Sequence, residues 1–162
     1  MTEDNAPDGD FSSVLGRIPS GIFVLTCHGP ASEIAMLVSW VQQCSFDPPM
    51  VSVAIRKGRD IVDLLKDGVS FAINVLAEGQ KELLAHFGKG SPLEHLPRAH
   101  ERVERQEGMA AVLREALGVL HCQVAGGCEA GDHYLILGHV VGGSLHSEDR
   151  PMIHVRKSGM NY

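Results

Sequence analysis

With 162 residues, 44% of them hydrophobic, and a mean hydropathy of +0.01, the chain has the makings of one compact domain, able to bury about two-thirds of its unfolded surface. A formal net charge of -6 and a pI near 5.8 exclude a general binder of nucleic acid or anionic membrane, so any phosphate must be met by local cations. No apolar run approaches the roughly 20 residues of a membrane helix, and the acidic opening lacks the basic-then-apolar order of a signal peptide, which predicts a cytoplasmic protein.

Residues 1–10, rich in Asp and poor in anything to bury, read as a disordered tail, leaving 11–162 as the folded domain. Phe11, Val14, Leu15 and Ile18 recur at helical spacing until Pro19-Ser20-Gly21 breaks the pattern. A buried strand over 22–27 follows, and the turn residues after His28 fold it into an antiparallel hairpin with the strand through 35–41. The run from Leu37 to Pro49 sets Ser39, Gln42, Gln43 and Ser45 in an otherwise apolar strand. Buried polar atoms need partners, so this run reads as the wall of a site, ending in a rigid corner at Pro48-Pro49.

A strand over 51–55 leads into a short helix bearing Ile61, Val62, Leu64 and Leu65, with Asp60 as its N-cap and Gly68 at its end. The strand at 71–76 precedes a helix carrying Leu83, Leu84 and Phe87. The charged stretch from Leu93 to Gly108 reads as an exposed excursion that adds little core and suits cover by a partner subunit. Three further strands are predicted at 117–125, 133–141 and 152–155. Strands joined mostly by turns favour an antiparallel barrel, closed or split, with a few packed helices over a doubly wound sheet.

Several constellations carry chemistry. Arg56, Lys57 and Arg59 lie between a strand and a helix start, where a phosphate fits about as well as an exposed basic loop does. His133, directly after Gly131-Asp132, stands at a strand mouth within reach of a ligand. The other histidines do not have metal-ligand spacing, since residues six apart on a strand are about 20 Å apart. Trp40 serves either core or a planar ligand, and Asn74 in its apolar strand serves either core hydrogen bonding or ligand contact. No nucleophile elbow frames Ser39, Ser45 or Cys44, the glycines at 126–131 do not match a dinucleotide fingerprint, and Gly88-Lys89-Gly90-Ser91 lacks the upstream glycine of a P-loop. Cys27, Cys44, Cys122 and Cys128, without C-x-x-C spacing, read as buried free thiols.

Taken in order, Ser39-Trp40, Ser45-Phe46-Asp47-Pro48-Pro49, Asn74-Val75-Leu76, Gly131-Asp132-His133 and the ending His154 to Tyr162 resemble the flavin reductase-like, FMN-binding split-barrel family. With Leu76-Ala77-Glu78-Gly79 and His86-Phe87, the chain looks most like the flavin reductase module of multidomain flavodiiron proteins. The resemblance implies a homodimeric split barrel that binds FMN, with FAD as a possible replacement, or uses flavin as a substrate. NADH or NADPH supplies hydride, and electrons pass to oxygen, a partner protein or a monooxygenase. It places Leu37, Val38, Ser39, Trp40, Cys44 and Ser45 along the isoalloxazine, with Asn74 also at the cofactor. Lys57 and Arg59 take the ribityl phosphate, Phe87 and Lys89 flank the flavin near the dimer contact, and His133 is the catalytic candidate on the nicotinamide side. Arg156 and Tyr162 close the site. Leu37 stands where the family usually has Thr or Ser, and Gln42 where a small hydroxyl residue is common. Hydride transfer of this kind relies on stacking and distance more than on an acid or base. The other reading is an FMN-holding electron-transfer or storage protein that does not oxidise pyridine nucleotide.

Overall fold

The computed structural model describes residues 11–161 apart from Pro30 and Ser32; the tail predicted at 1–10 lies outside the described residues. Helix α1 (Phe11–Gly16) leads to β1 (Ser20–Gly21), β2 (Phe23–His28), β3 (Glu33–Val38), β4 (Val41–Phe46) and β5 (Pro49–Arg56). Then come α2 (Asp60–Lys66), β6 (Phe71–Val75), α3 (Lys81–Gly88), a 3₁₀ turn at Leu93–His95, α4 (Ala99–Arg102), β7 (Val103–Glu104) and β8 (Val112–Leu113). The long hairpin of β9 (Gly118–Ala130) and β10 (His133–Leu145), and the short β11 (Ile153–His154), complete the order.

Seven strands form one antiparallel sheet in the order β3-β2-β6-β9-β10-β5-β4. β3 and β4 occupy opposite edges, yet only Ser39 and Trp40 separate them in the chain. The sheet must therefore curl until its two edges approach one another at those residues. The result is a split barrel, mainly β as expected, with its seam at residues 39–40.

Alternation along the central strands explains their continuous apolar runs. Leu25, Cys27, Phe71 and Ile73 point into the barrel, where Val51, Val53, Ile55, Ile136 and the buried face of α2 fill the interior. Val24 and Ala72 point outward into a second core beneath α3 and the 93–116 segment. Strands covered on both faces lose the polar alternation of a solvated sheet. The 93–108 excursion is correspondingly more than surface: Leu93, Leu96 and Val103 are buried in that second core, which corrects the reading that it adds little. The sparse, irregular spacing of its apolar residues concealed a one-sided packing face.

Two polar residues fasten this layer to the barrel. Thr26 Oγ1 donates to the Ala111 carbonyl at 2.5 Å. Asn74, fully buried, donates from Nδ2 to the Val24 carbonyl at 2.9 Å and accepts from the Leu113 amide at Oδ1 at 2.8 Å.

Other expectations shift in detail. Arg59 takes the N-cap position of α2, so Asp60 is its first helical residue, set favourably in the first turn against the helix dipole. The β9–β10 hairpin runs beyond the predicted strands because its glycines interrupt the apolar pattern while the pairing continues across register shifts at Leu137/Gly138 and Val140/Gly142. Gly138 is required there by close packing, since a Cβ would meet the Phe71 ring at 2.5 Å. Of the four thiols only Cys27 and Cys122 are buried; Cys44 and Cys128 are exposed, on an edge strand and on the outer half of β9. Burial pushes the Cys27 thiol up to about 11 and the Cys122 thiol up to about 12.

Replacing Asn74 by Ala removes two hydrogen bonds and strands the Leu113 amide in the core. Urea unfolding is expected to show a loss of about 2–4 kcal/mol. A thiol reagent at neutral pH is expected to label Cys44 and Cys128 rapidly and to reach Cys27 and Cys122 only after unfolding, as read by mass spectrometry of the labelled peptides.

Candidate functional site

Where the curled sheet brings its edges together, a cavity of about 790 Å³ opens beside the seam. One wall is the end of β3, with Met36, Leu37 and Val38, continued by Ser39. The opposite wall is α3, whose amphipathic pattern buries Leu83 and Phe87 while Leu84, Phe87 and Gly88 border the cavity. The end of β5 and residues 152–154 supply the rest.

The charge of this lining is the reverse of the chain's. Arg56, Arg59, Lys81 and Lys89 border the cavity against a single carboxylate, Glu78, in a protein of net charge -6. His154, held on β11 opposite Ser20, adds an imidazole. Apolar walls plus converging cations form a cradle for a planar group that carries an anion.

The sequence-derived candidates divide between several places. Leu37, Val38, Ser39, Arg59, Phe87 and Lys89 all border this cavity. Trp40 and Arg156 border an adjoining cavity of about 600 Å³, which also includes Gln42 and shares Ser39 and Ile153 with the first. Lys57 takes a different direction from its neighbour Arg56. Its Nζ pairs with Glu129 Oε2 at 3.0 Å, and its amide donates to the Asp132 carbonyl at 3.0 Å, so it clasps the β9–β10 turn. That hydrogen bond holds the Glu129 carboxyl below its ordinary range.

Cys44 and Ser45 border neither cavity; Cys44 sits exposed at a bulge of the edge strand β4, and the half-buried Ser45 follows it. The polar run read as one site wall is thus a wall only over residues 37–42, and an exposed strand edge beyond. Asn74 has its amide nitrogen and oxygen committed to backbone groups of the core. Tyr162 lies outside the described residues.

His133 is 8% exposed, and its Nδ1 lies 2.7 Å from Asp132 Oδ1. The hydrogen bond from His133 is the main cause that holds the Asp132 carboxyl below its ordinary range. The imidazole meets the Trp40 ring at a centroid distance of 4.7 Å and a tilt of 40°, and the Arg156 guanidinium lies over the same indole at 5.2 Å. Sequence reasoning missed Lys81 and His154 as parts of the cavity and set Lys57 ahead of Arg56. The period of two along β5 carries the signal for Arg56, because Val51, Val53 and Ile55 face the interior. Nothing local marks Lys81 or His154, which reach the cavity through tertiary packing.

The model of the flavin reductase like domain matches residues 15–161, and the chain belongs to that family of oxidoreductases. It is 34% identical over 157 residues to the diflavin flavoprotein A 1 of Synechocystis sp., covering 96% of this chain and 27% of that protein. The chain thus spans about a quarter of the length of the curated relatives it matches. Among solved structures it resembles the NADH:FAD oxidoreductase of Streptomyces globisporus, with a TM-score of 0.74 and 25% identity over 93% of this chain and 83% of that one. It also resembles the styrene monooxygenase flavin reductase of Pseudomonas putida S12, with a TM-score of 0.75 and 27% identity over 91% of this chain and 93% of that one.

Proposed function

We propose that the protein is an NAD(P)H-dependent flavin reductase that takes FMN, bound or as a substrate, in the cavity beside the seam. The observation that carries this reading is the cationic lining of an apolar-walled cavity in an acidic chain. A ribityl phosphate needs two or three charge-assisted hydrogen bonds, and Arg56, Arg59, Lys81 and Lys89 are the groups able to supply them. Leu37, Val38 and Phe87 offer apolar surface to a planar ring, and Ser39 offers a hydroxyl at the ring's edge. A flavin held there by these residues would supply the redox chemistry, the uptake of a hydride from a nicotinamide with a second proton from solvent.

The residues around the seam bind, orient and exclude water. Trp40 and Arg156 line the adjoining cavity, where a nicotinamide can approach, and no side chain is required to move a proton at the reacting carbon. In this reading the reduced flavin passes its electrons to oxygen or to a protein partner, such as a monooxygenase. Exposed apolar residues including Phe46, Leu145 and Ile153 supply surface for the homodimer implied by the family resemblance.

The test follows NADH and NADPH absorbance under air with and without added FMN. Flavin-dependent loss of nicotinamide absorbance is the expected result. A yellow protein inert to both nucleotides would overturn it in favour of a flavin-holding electron carrier. Within the same reading, Arg59→Ala is expected to weaken FMN about tenfold by fluorescence titration while leaving riboflavin within about twofold. Equal weakening of both would remove Arg59 from the phosphate.

A further inference from the structure

Two or three cations satisfy a ribityl phosphate, and the cavity beside the seam holds four: Arg56, Arg59, Lys81 and Lys89. Lys81 opens α3 and Lys89 caps its far end, so a helix length of about 12 Å separates their backbones. Among the described residues, no hydrogen bond or ion pair engages either ammonium. A phosphate seated at one end of the helix leaves the cation at the other end for a different group.

Main-chain pairing tells the two ends apart. The segment leading into α3 runs beside residues 150–152: Ala77 bridges Pro151, the Glu78 amide donates to the Arg150 carbonyl at 2.9 Å, and the Met152 amide donates to the Leu76 carbonyl at 2.8 Å. Met152, Ile153 and His154 line the same cavity as Lys81, and Ile153 borders the adjoining cavity as well. The Lys81 end of α3 thus lies toward the wall that the two cavities share. The other end lies against β3, where a Cβ on Gly88 would stand 3.8 Å from Leu37 Cδ2. In the reductase reading, on which this inference rests, a flavin ring reaches the shared wall to meet a nucleotide beyond it. That places Lys81 beside the ring and leaves Lys89 to the phosphate.

We infer that Lys81 discriminates between the oxidation states of the flavin: its ammonium stands where the ring becomes negatively charged on reduction, and it favours the reduced form. Two electrons and one proton added to a neutral ring leave one negative charge, shared by N1 and the neighbouring carbonyl oxygen until a second proton arrives. A cation fixed beside charge that is absent before the reaction stabilises the reduced state alone. Glu78, the single carboxylate at the cavity, lies three residues before Lys81 and acts in the opposite sense. Both residues are exposed, so solvent screening limits either effect to severalfold.

The experiment measures dissociation constants for FMN and riboflavin, each oxidised and dithionite-reduced, without air and at mildly alkaline pH, where the reduced ring is an anion. Wild-type protein is compared with Lys81→Met, Lys81→Arg, Glu78→Gln and Lys89→Met, with a potentiometric titration of bound FMN beside each. Lys81→Met is expected to weaken reduced FMN and reduced riboflavin about three- to tenfold and the oxidised forms by less than about twofold. The midpoint potential of bound FMN then falls by about 15–30 mV, the same factor expressed for a two-electron couple. Lys81→Arg should keep the wild-type preference, Glu78→Gln should shift it the other way, and Lys89→Met should weaken both oxidation states of FMN alike. Unchanged constants in Lys81→Met, equal weakening of oxidised and reduced flavin, or a loss seen with FMN and not with riboflavin would each overturn the inference. None of these measurements uses a nucleotide. A protein inert to NADH and NADPH that still shows the Lys81 effect would fail the reductase reading and keep this one, and a wild-type protein that binds neither flavin would overturn both.

Discussion

Two residues join strands that lie at opposite edges of a seven-stranded sheet, and most of the architecture follows from that constraint. A flat sheet would hold β3 and β4 six strand spacings apart, on the order of 28 Å, far beyond the reach of Ser39 and Trp40. Only a curled sheet satisfies the connection, and the curl brings the ends of β3 and β5 to the same place. The seam is thus a topological necessity; Ser39 borders both cavities and Trp40 the smaller one, because no strand of the ladder covers them.

Electrostatics then decides what the cavity can hold. Four of the chain's cations are gathered around it while the chain as a whole is acidic, so an anion entering there meets attraction from the walls against repulsion elsewhere. The helix that supplies one wall is itself fixed by a buried guanidinium. Arg102 binds Glu115 through Nε at 2.5 Å and Glu82 of α3 through Nη1 at 3.0 Å, and also donates to the Pro97 carbonyl. Only the Arg102 side of these pairs is buried, so the two carboxylates compensate a largely desolvated cation and favour the present orientation of α3. Lys81, Leu84 and Phe87 hold their places at the cavity through that clamp.

How much of this was legible in the sequence depends on the kind of signal. The strands at 23–28, 49–56 and 71–75 were readable because burial on both faces produces continuous apolar runs bounded by Gly and Pro. Residues 37–39, where the sequence sets a hydroxyl after apolar positions, do border the cavity. The polar run at 43–45 has another cause, a bulge in an edge strand, and sequence alone gives both the same appearance. Asn74 was ambiguous for a related reason: a buried amide looks alike whether it bonds a ligand or the backbone of a distant loop, and the loop lies 39 residues away. Arg56 and Lys57 were adjacent in one basic cluster, but Arg56 ends β5 at the cavity while Lys57, in the turn beyond the strand, pairs with Glu129.

The two cavities differ in how their walls are held, and the difference suits the proposed reaction. The cationic cavity is bounded by β3, β5 and α3, elements carried on long ladders or clamped by Arg102. The adjoining one is bounded by a two-residue connection, a six-residue helix and a terminal strap, none of them a strand of the seven-stranded sheet. Segments outside a sheet open locally at lower free energy than the ladders of a barrel. In a flavin reductase the electron acceptor must be held at a fixed distance while the nicotinamide nucleotide enters and leaves on every turnover. A firm wall on one side of Ser39 and a yielding wall on the other meets both demands within one small domain, with Trp40 standing where the two meet.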